Sequence, residues 1–142
     1  MRNSQHRDIP SCDPLFVFGH GLSYTTFDIS NLKLTSTSVA PRGSTRASVD
    51  VTNTGTLTGD EVVQLYINDP VASISQPVRR LRGFERVTLD PGQTRTVTFR
   101  LDRSDWGFYD NRGKFISEPG RIDVYAGNSS GARLKQSFTV RG

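Results

Sequence analysis

From Phe27 onward, apolar and polar residues alternate in short runs, with turn residues between them about every 8–12 positions, the spacing of an antiparallel β-sandwich. The segment 46–53 sets Ala47, Val49 and Val51 on one face and Ser48, Asp50 and Thr52 on the other, the two-residue period of a half-buried strand. The segment 61–68 sends Val63, Leu65 and Ile67 inward, leaving Val62, Gln64 and Tyr66 on an opposite face that reads as half covered. The segment 95–102 repeats the pattern with Val97, Phe99 and Leu101 inward. An opening strand over 27–34 begins its apolar positions at Ile29 and places Leu32 and Leu34 on one face. The second half of 79–89, then 121–127 and 134–140, complete the set. Between 106–109 and 114–116 lies Asp110-Asn111-Arg112-Gly113, a hairpin signature. Asp69-Pro70 ends a strand, because proline has no N–H for the ladder. No run has the period and length of an amphipathic helix. The pattern predicts an all-β sandwich of seven or eight antiparallel strands in two packed sheets over residues 27–142. Its core is Val49, Val51, Val63, Leu65, Ile67, Val97, Phe99, Leu101, Ile122, Val124, Phe138 and Val140.

Residues 1–26 read differently. The stretch 1–13 is polar and reads as a disordered or linking segment. Residues 14–26, Pro-Leu-Phe-Val-Phe-Gly-His-Gly-Leu-Ser-Tyr-Thr-Thr, are apolar, aromatic and glycine-punctuated, with neither a helical period nor a strand alternation. Gly19 and Gly21 flank His20 and allow a sharp turn there. Such a concentration of aromatics is a liability in water, so these residues pack either on this domain or on a partner outside it.

Several blocks in fixed order carry a family resemblance. They are Phe18-Gly19-His20-Gly21-Leu22-Ser23-Tyr24-Thr25-Thr26-Phe27, Val51-Thr52-Asn53-Thr54-Gly55, Gly59-Asp60-Glu61-Val62-Val63-Gln64-Leu65-Tyr66, and Pro77-Val78-Arg79-Arg80-Leu81-Arg82-Gly83-Phe84. Leu89-Asp90-Pro91-Gly92, Val97-Thr98-Phe99, Phe108-Tyr109-Asp110 and Glu118-Pro119-Gly120 follow. Over about residues 14–140 the chain resembles the C-terminal fibronectin type III-like domain of family 3 glycoside hydrolases, the β-glucosidase and β-xylosidase type. The resemblance implies an immunoglobulin-like sandwich, and a parent enzyme whose catalytic groups lie on a (β/α)8 barrel and an α/β sandwich. Neither is in this sequence. The implied role is an accessory domain that stabilises the catalytic domains, and that shapes substrate access or an oligomer contact. A free-standing polysaccharide- or protein-binding module is the alternative.

Composition narrows the chemistry. The net charge is +4 and the basic residues are 15 Arg against 3 Lys. They are spread over strands and turns except for Arg79, Arg80, Arg82 and Arg86. That cluster reads as a solvated face, as a docking surface for acidic groups of a neighbouring domain, or as a nucleic-acid contact. No interleaved aromatics of the kind that stack bases accompany it, and the reading carried forward is no nucleic acid. Cys12 is alone, which excludes an internal disulfide. With His6, His20 and Cys12 as the soft ligands, no metal or cofactor site is expected. No stretch approaches the roughly 18 apolar residues of a membrane span, and residues 1–8 lack the apolar core of a signal peptide. Asn128-Ser129-Ser130 fits the glycosylation sequon.

Ser104-Asp105-Trp106 mimics the run that carries the nucleophile in the barrel of that hydrolase family. Here it follows a sandwich strand, so Asp105 reads as a turn residue accepting backbone hydrogen bonds and Trp106 as cover for a core edge. Asp60 and Glu61 are adjacent and point to opposite faces of a strand, which does not suit an acid/base pair. No catalytic residue is assigned. The candidate contacts to the catalytic domains, or to a second copy in a homodimer, are Phe16, Phe18, His20, Leu22 and Tyr24, with Arg79, Arg80 and Arg82 at the rim. Phe16, Phe18, Tyr24 and Phe27 could also make weak contact with a sugar ring.

Overall fold

The alternating runs pair as two sheets. A computed structural model describes residues 16–73 and 78–142. The linker reading of 1–13, Cys12 and His6 lie outside the described residues, as does part of the expected loop after Pro70. The described strands are β1 (Phe27–Leu34), β2 (Ser38–Val39), β3 (Ser44–Asn53), β4 (Gly59–Asn68), β5 (Arg80–Leu89), β6 (Thr94–Asp102), β7 (Phe108–Tyr109), β8 (Phe115–Ile116), β9 (Gly120–Gly127) and β10 (Leu134–Val140). A three-stranded sheet has the order β1-β3-β6 and a five-stranded sheet the order β2-β10-β9-β4-β5, with β7-β8 a separate hairpin. The seven long strands are those the alternation predicts. The two-residue β2 is an addition, and it pairs parallel to β10, not antiparallel.

The core lies between the sheets. Val49, Val51, Val97 and Leu101 from one sheet meet Val63, Leu65, Ile67, Ile122, Val124, Phe138 and Val140 from the other, all buried. Phe99 departs from the expectation of a fully buried core residue. It is half-buried, packed against the core from β6, an edge strand.

Two bulges re-aim side chains. In β1 the register shifts between Ser30 and Lys33, with Asn31 at φ 57°, a left-handed conformation that asparagine tolerates. Its Nδ2 donates to Asp50 Oδ2 at 3.0 Å. The extra residue changes parity, so Phe27 and Ile29 before it and Leu32 and Leu34 after it all meet the core. In β5 the shift falls opposite Leu65 and Tyr66, and it leaves Leu81 and Phe84 together on the outer face of the five-stranded sheet, both exposed.

The two outer faces differ. That of the three-stranded sheet carries Arg46, Ser48, Asp50 and Thr52 on β3 opposite Arg100, Thr98, Thr96 and Thr94 on β6. Thr96 donates to Asp50 and Thr52 bonds Thr94. Asp28, Ser30 and Lys33 extend this polar face on β1. The outer face of the five-stranded sheet is not solvated in the same way, and β4 shows why: Val63 through Ile67 are buried on both sides of the strand.

The expected strand at 106–109 is shorter than predicted. Arg103–Trp106 is one helical turn, α1, capped by Asp102. Asp102 accepts from the Ser104 N–H, and Asp105 reaches back to the Asp102 N–H at 2.8 Å. Acidic residues at the cap and three positions on form this reciprocal pair. Trp106 ends the turn buried, edge-on to Phe138, with its Nε1 donating to Ser117 Oγ at 2.9 Å. Among the described residues no helix is long and apolar enough to cross a membrane.

Candidate functional site

The outer face of β4 is covered by residues 16–26, a strap that lies across it. The strap is held by its backbone. Gln64 Nε2 donates to the Gly19 carbonyl and to the Asn128 carbonyl, each at 2.9 Å. The Tyr66 hydroxyl donates in turn to Gln64 Oε1. The Ser130 N–H donates to the Phe18 carbonyl at 2.8 Å. Gly19 makes this approach possible. Its φ is 78°, and a Cβ there would stand 2.9 Å from the Tyr66 hydroxyl, so both the turn and the contact require glycine. Gln64 and Tyr66 are consequently buried, more than the half cover that alternation predicts.

Farther along, Ser23 Oγ donates to the Asp60 carbonyl and the Thr54 N–H donates to the Thr26 carbonyl. Thr25 donates to Oδ1 of Asn53 at 3.0 Å. Asn53 is wholly buried and fully bonded: its Nδ2 donates to the Leu57 and Leu89 carbonyls, each at 2.8 Å, and its Oδ1 also accepts from the Gly55 N–H.

With the backbone and the hydroxyls of Ser23 and Thr25 held inward, the large apolar side chains of the strap face out. Phe16 and Phe18 are exposed, and Leu22 and Tyr24 are 94% and 97% exposed. His20 stacks on Phe16 with ring centres 5.1 Å apart, and its N–H closes a turn on the Val17 carbonyl. Of the five strap residues singled out from sequence, Phe16, His20 and Leu22 line one hollow and Leu22 and Tyr24 the next, while Phe18 lines a third with Tyr66 and Leu81.

The three arginines are placed otherwise. Arg79 donates from Nη1 to the Ser130 and Ala132 carbonyls, at 2.5 and 2.7 Å, and its guanidinium lies 3.9 Å above the Tyr125 ring. It fastens the loop that holds the strap. Arg80 is half-buried and donates to the Trp106 carbonyl, and burial lowers its pKa. Arg82 is half-buried, with its buried Nε unpartnered among the described residues. Arg86 occupies the rim, paired with Asp60 on the outer face. Sequence reading missed Leu81 and Phe84, because only the bulge puts both on that face.

Asp105, the residue of the nucleophile-like run, is engaged by the cap of α1, and burial raises its pKa. Among the described residues no group of three or more His, Cys, Asp or Glu is placed to hold a metal ion.

The family model for the fibronectin type III-like domain matches residues 61–130. The chain carries a fibronectin type III-like domain. The domain is 46% identical over 123 residues to the periplasmic β-glucosidase of Salmonella typhimurium, covering 87% of this chain and 16% of that protein. It is 49% identical over 119 residues to a β-xylosidase of Formosa agariphila, covering 84% of this chain and again 16% of the relative. The crystal structure of a β-glucosidase from Listeria innocua matches the domain with a TM-score of 0.87 at 33% identity, covering 100% of this chain and 20% of that one. The domain therefore spans about a sixth of the curated relatives it matches, and the family read from the ordered sequence blocks is the one found.

Proposed function

We propose that this chain is a non-catalytic accessory domain of a β-glucosidase- or β-xylosidase-type glycoside hydrolase, and that it stabilises the catalytic domains by docking on them. One observation carries the reading. A strap fixed to the sandwich by backbone hydrogen bonds turns Phe16, Phe18, Leu22 and Tyr24 outward. Exposed apolar clusters of this kind mark interaction sites. The matched relatives extend well beyond this chain, so a covering surface in the same polypeptide is consistent with the match. Shaping of the substrate entrance would follow from that docking. The chemistry belongs to the docked domains, since a retaining glycosidase needs two carboxyl groups about 5–5.5 Å apart across a sugar and here Asp105 serves the α1 cap.

The test is a chimera in which this chain replaces the matching segment of the Salmonella periplasmic β-glucosidase, beside the same enzyme with the segment deleted. The chimera is expected to remain folded and active, and the deletion to lose thermal stability. The isolated chain should leave aryl β-glucosides and β-xylosides intact. Equal stability of chimera and deletion, together with firm retention of the isolated chain on cellulose or xylan, would replace this reading with that of a polysaccharide-binding module.

A further inference from the structure

The strap is half of a larger surface. Phe18 and Leu81 line one hollow with Tyr66 and Ser130. Leu22 and Tyr24 line the next, whose opposite wall is Asp60, Arg86 and Thr88 of the same sheet face. Phe16 and Leu22 line a third along the strap itself. Phe84, 69% exposed, stands opposite Gln64 in the β4–β5 ladder, beside the side chain that holds Gly19. Strap and edge strand thus present one apolar strip, rimmed by the Arg86–Asp60 pair. The outer face of the other sheet offers nothing comparable: hydroxyls and charges cover it.

We infer that the outer face of the five-stranded sheet, comprising Phe16, Phe18, Leu22 and Tyr24 of the strap with Leu81 and Phe84 of β5, is the docking face. Its occupant is an apolar surface of the hydrolase domains in the same polypeptide, and the three-stranded sheet is turned to solvent. This rests on the accessory-domain reading and adds an orientation to it. The choice of occupant rests on the chain length outside this domain: all of this chain, strap included, has its counterpart in a solved β-glucosidase of which it covers only 20%. An apolar centre with a charged rim is also the usual layout of a protein–protein interface. The β5 bulge fits the assignment, since bulges commonly re-aim side chains at an edge, and here one adds Leu81 to the face that carries Phe84.

Side-chain labelling tests the orientation. Hydroxyl radicals mark exposed Phe and Tyr rings, and an acetylating reagent marks Lys33 on the outer face of the three-stranded sheet. In the isolated chain Phe18, Tyr24, Phe84 and Lys33 should all react. In the Salmonella chimera the three aromatics should lose most of their labelling and Lys33 should keep its own. Protection of Lys33 with Phe84 still reactive would overturn the assignment. So would protection of the strap rings alone. Rings already protected in a concentrated isolated chain, with no further change in the chimera, would make a second copy the occupant and overturn it too. Should no residue be protected while the chimera is no more stable than the deletion, the accessory-domain reading itself fails. As a check by substitution, Phe84→Ser should leave the melting temperature of the isolated chain unchanged and lower that of the chimera.

Discussion

The Phe99 ring lies against the backbone of Gly83, closing the gap between the edge strands of the two sheets. A Cβ at position 83 would stand 2.7 Å from Phe99 Cδ1, inside any allowed contact. Gly83→Ala should therefore displace the ring, with a cost of about 1–3 kcal/mol, as for an overpacked core. Phe99→Ala should cost about 2 kcal/mol, less than the roughly 3–5 kcal/mol of a fully buried phenylalanine, because the ring is half-buried. Denaturant midpoints of the two variants check both. A Phe99→Ala midpoint equal to that of the parent chain would mean that the edges are closed by something else.

Asn53 ties strap, β3 and the β5 end together through four side-chain hydrogen bonds. Asn53→Ala should destabilise the domain by about 1–3 kcal/mol, the cost of leaving a buried group without its partner. Asn53→Asp should be at least as harmful. It would set a carboxylate oxygen against the Leu57 and Leu89 carbonyls, which now accept from Nδ2. Thermal melts of the two variants at neutral pH give the comparison.

Gln64→Ala should free the strap and leave the sandwich folded. Its amide bridges the Gly19 and Asn128 carbonyls, while the inward residues of β4 are Val63, Leu65 and Ile67. Hydrogen exchange at the Ser130 amide, which donates to the Phe18 carbonyl, is expected to accelerate, with exchange in β9 and β10 unchanged. Removal of residues 1–23 should likewise leave a folded sandwich and abolish any self-association, as sedimentation would show. If the truncated chain unfolds, the strap belongs to the core.

Asp123 gives the domain an acid-sensitive element. Burial alone would raise its pKa, but hydrogen bonds from Lys135, Ser137 and Arg121 outweigh burial and hold it below the usual carboxylate range. Lys135 lies 2.8 Å away on the adjacent strand. A folded-state pKa below the unfolded one contributes stability above about pH 4, the unfolded value. That contribution is lost as pH falls through the lower folded value. Asp123→Asn should therefore melt below the parent chain at pH 7, and by a smaller margin near pH 3. Equal melting differences at the two pH values would show that the carboxylate charge contributes nothing.

Much of this was legible in the residues, and the exceptions have physical reasons. Long strands such as β3 and β6 were visible because one face is solvated, so polarity alternates cleanly. Strand β2 was not, since two residues give a period nothing to repeat. The shared facing of Ile29 with Leu32, and of Leu81 with Phe84, escaped because a single bulge residue reverses parity without altering composition. The helical turn at Arg103–Trp106 hid in the same way, although Asp102 and Asp105 already had capping-box spacing. Outward aromatics on the strap could be expected from the crowding of rings between glycines. The inward work of Arg79 could not, because its partners are carbonyls of residues 130 and 132, and carbonyls leave no mark in a sequence.

The strap is gripped by its peptide groups and by the hydroxyls of Ser23 and Thr25, while the side chains at positions 16, 18, 22 and 24 stay exposed. Anchorage and display are therefore written in different letters of the chain. Substitutions at the displayed positions can drift, or be chosen by design, without disturbing Gly19, Gln64 or Asn53. The fastening is independent of the face displayed, so the faceplate can be recut without loosening the bolts.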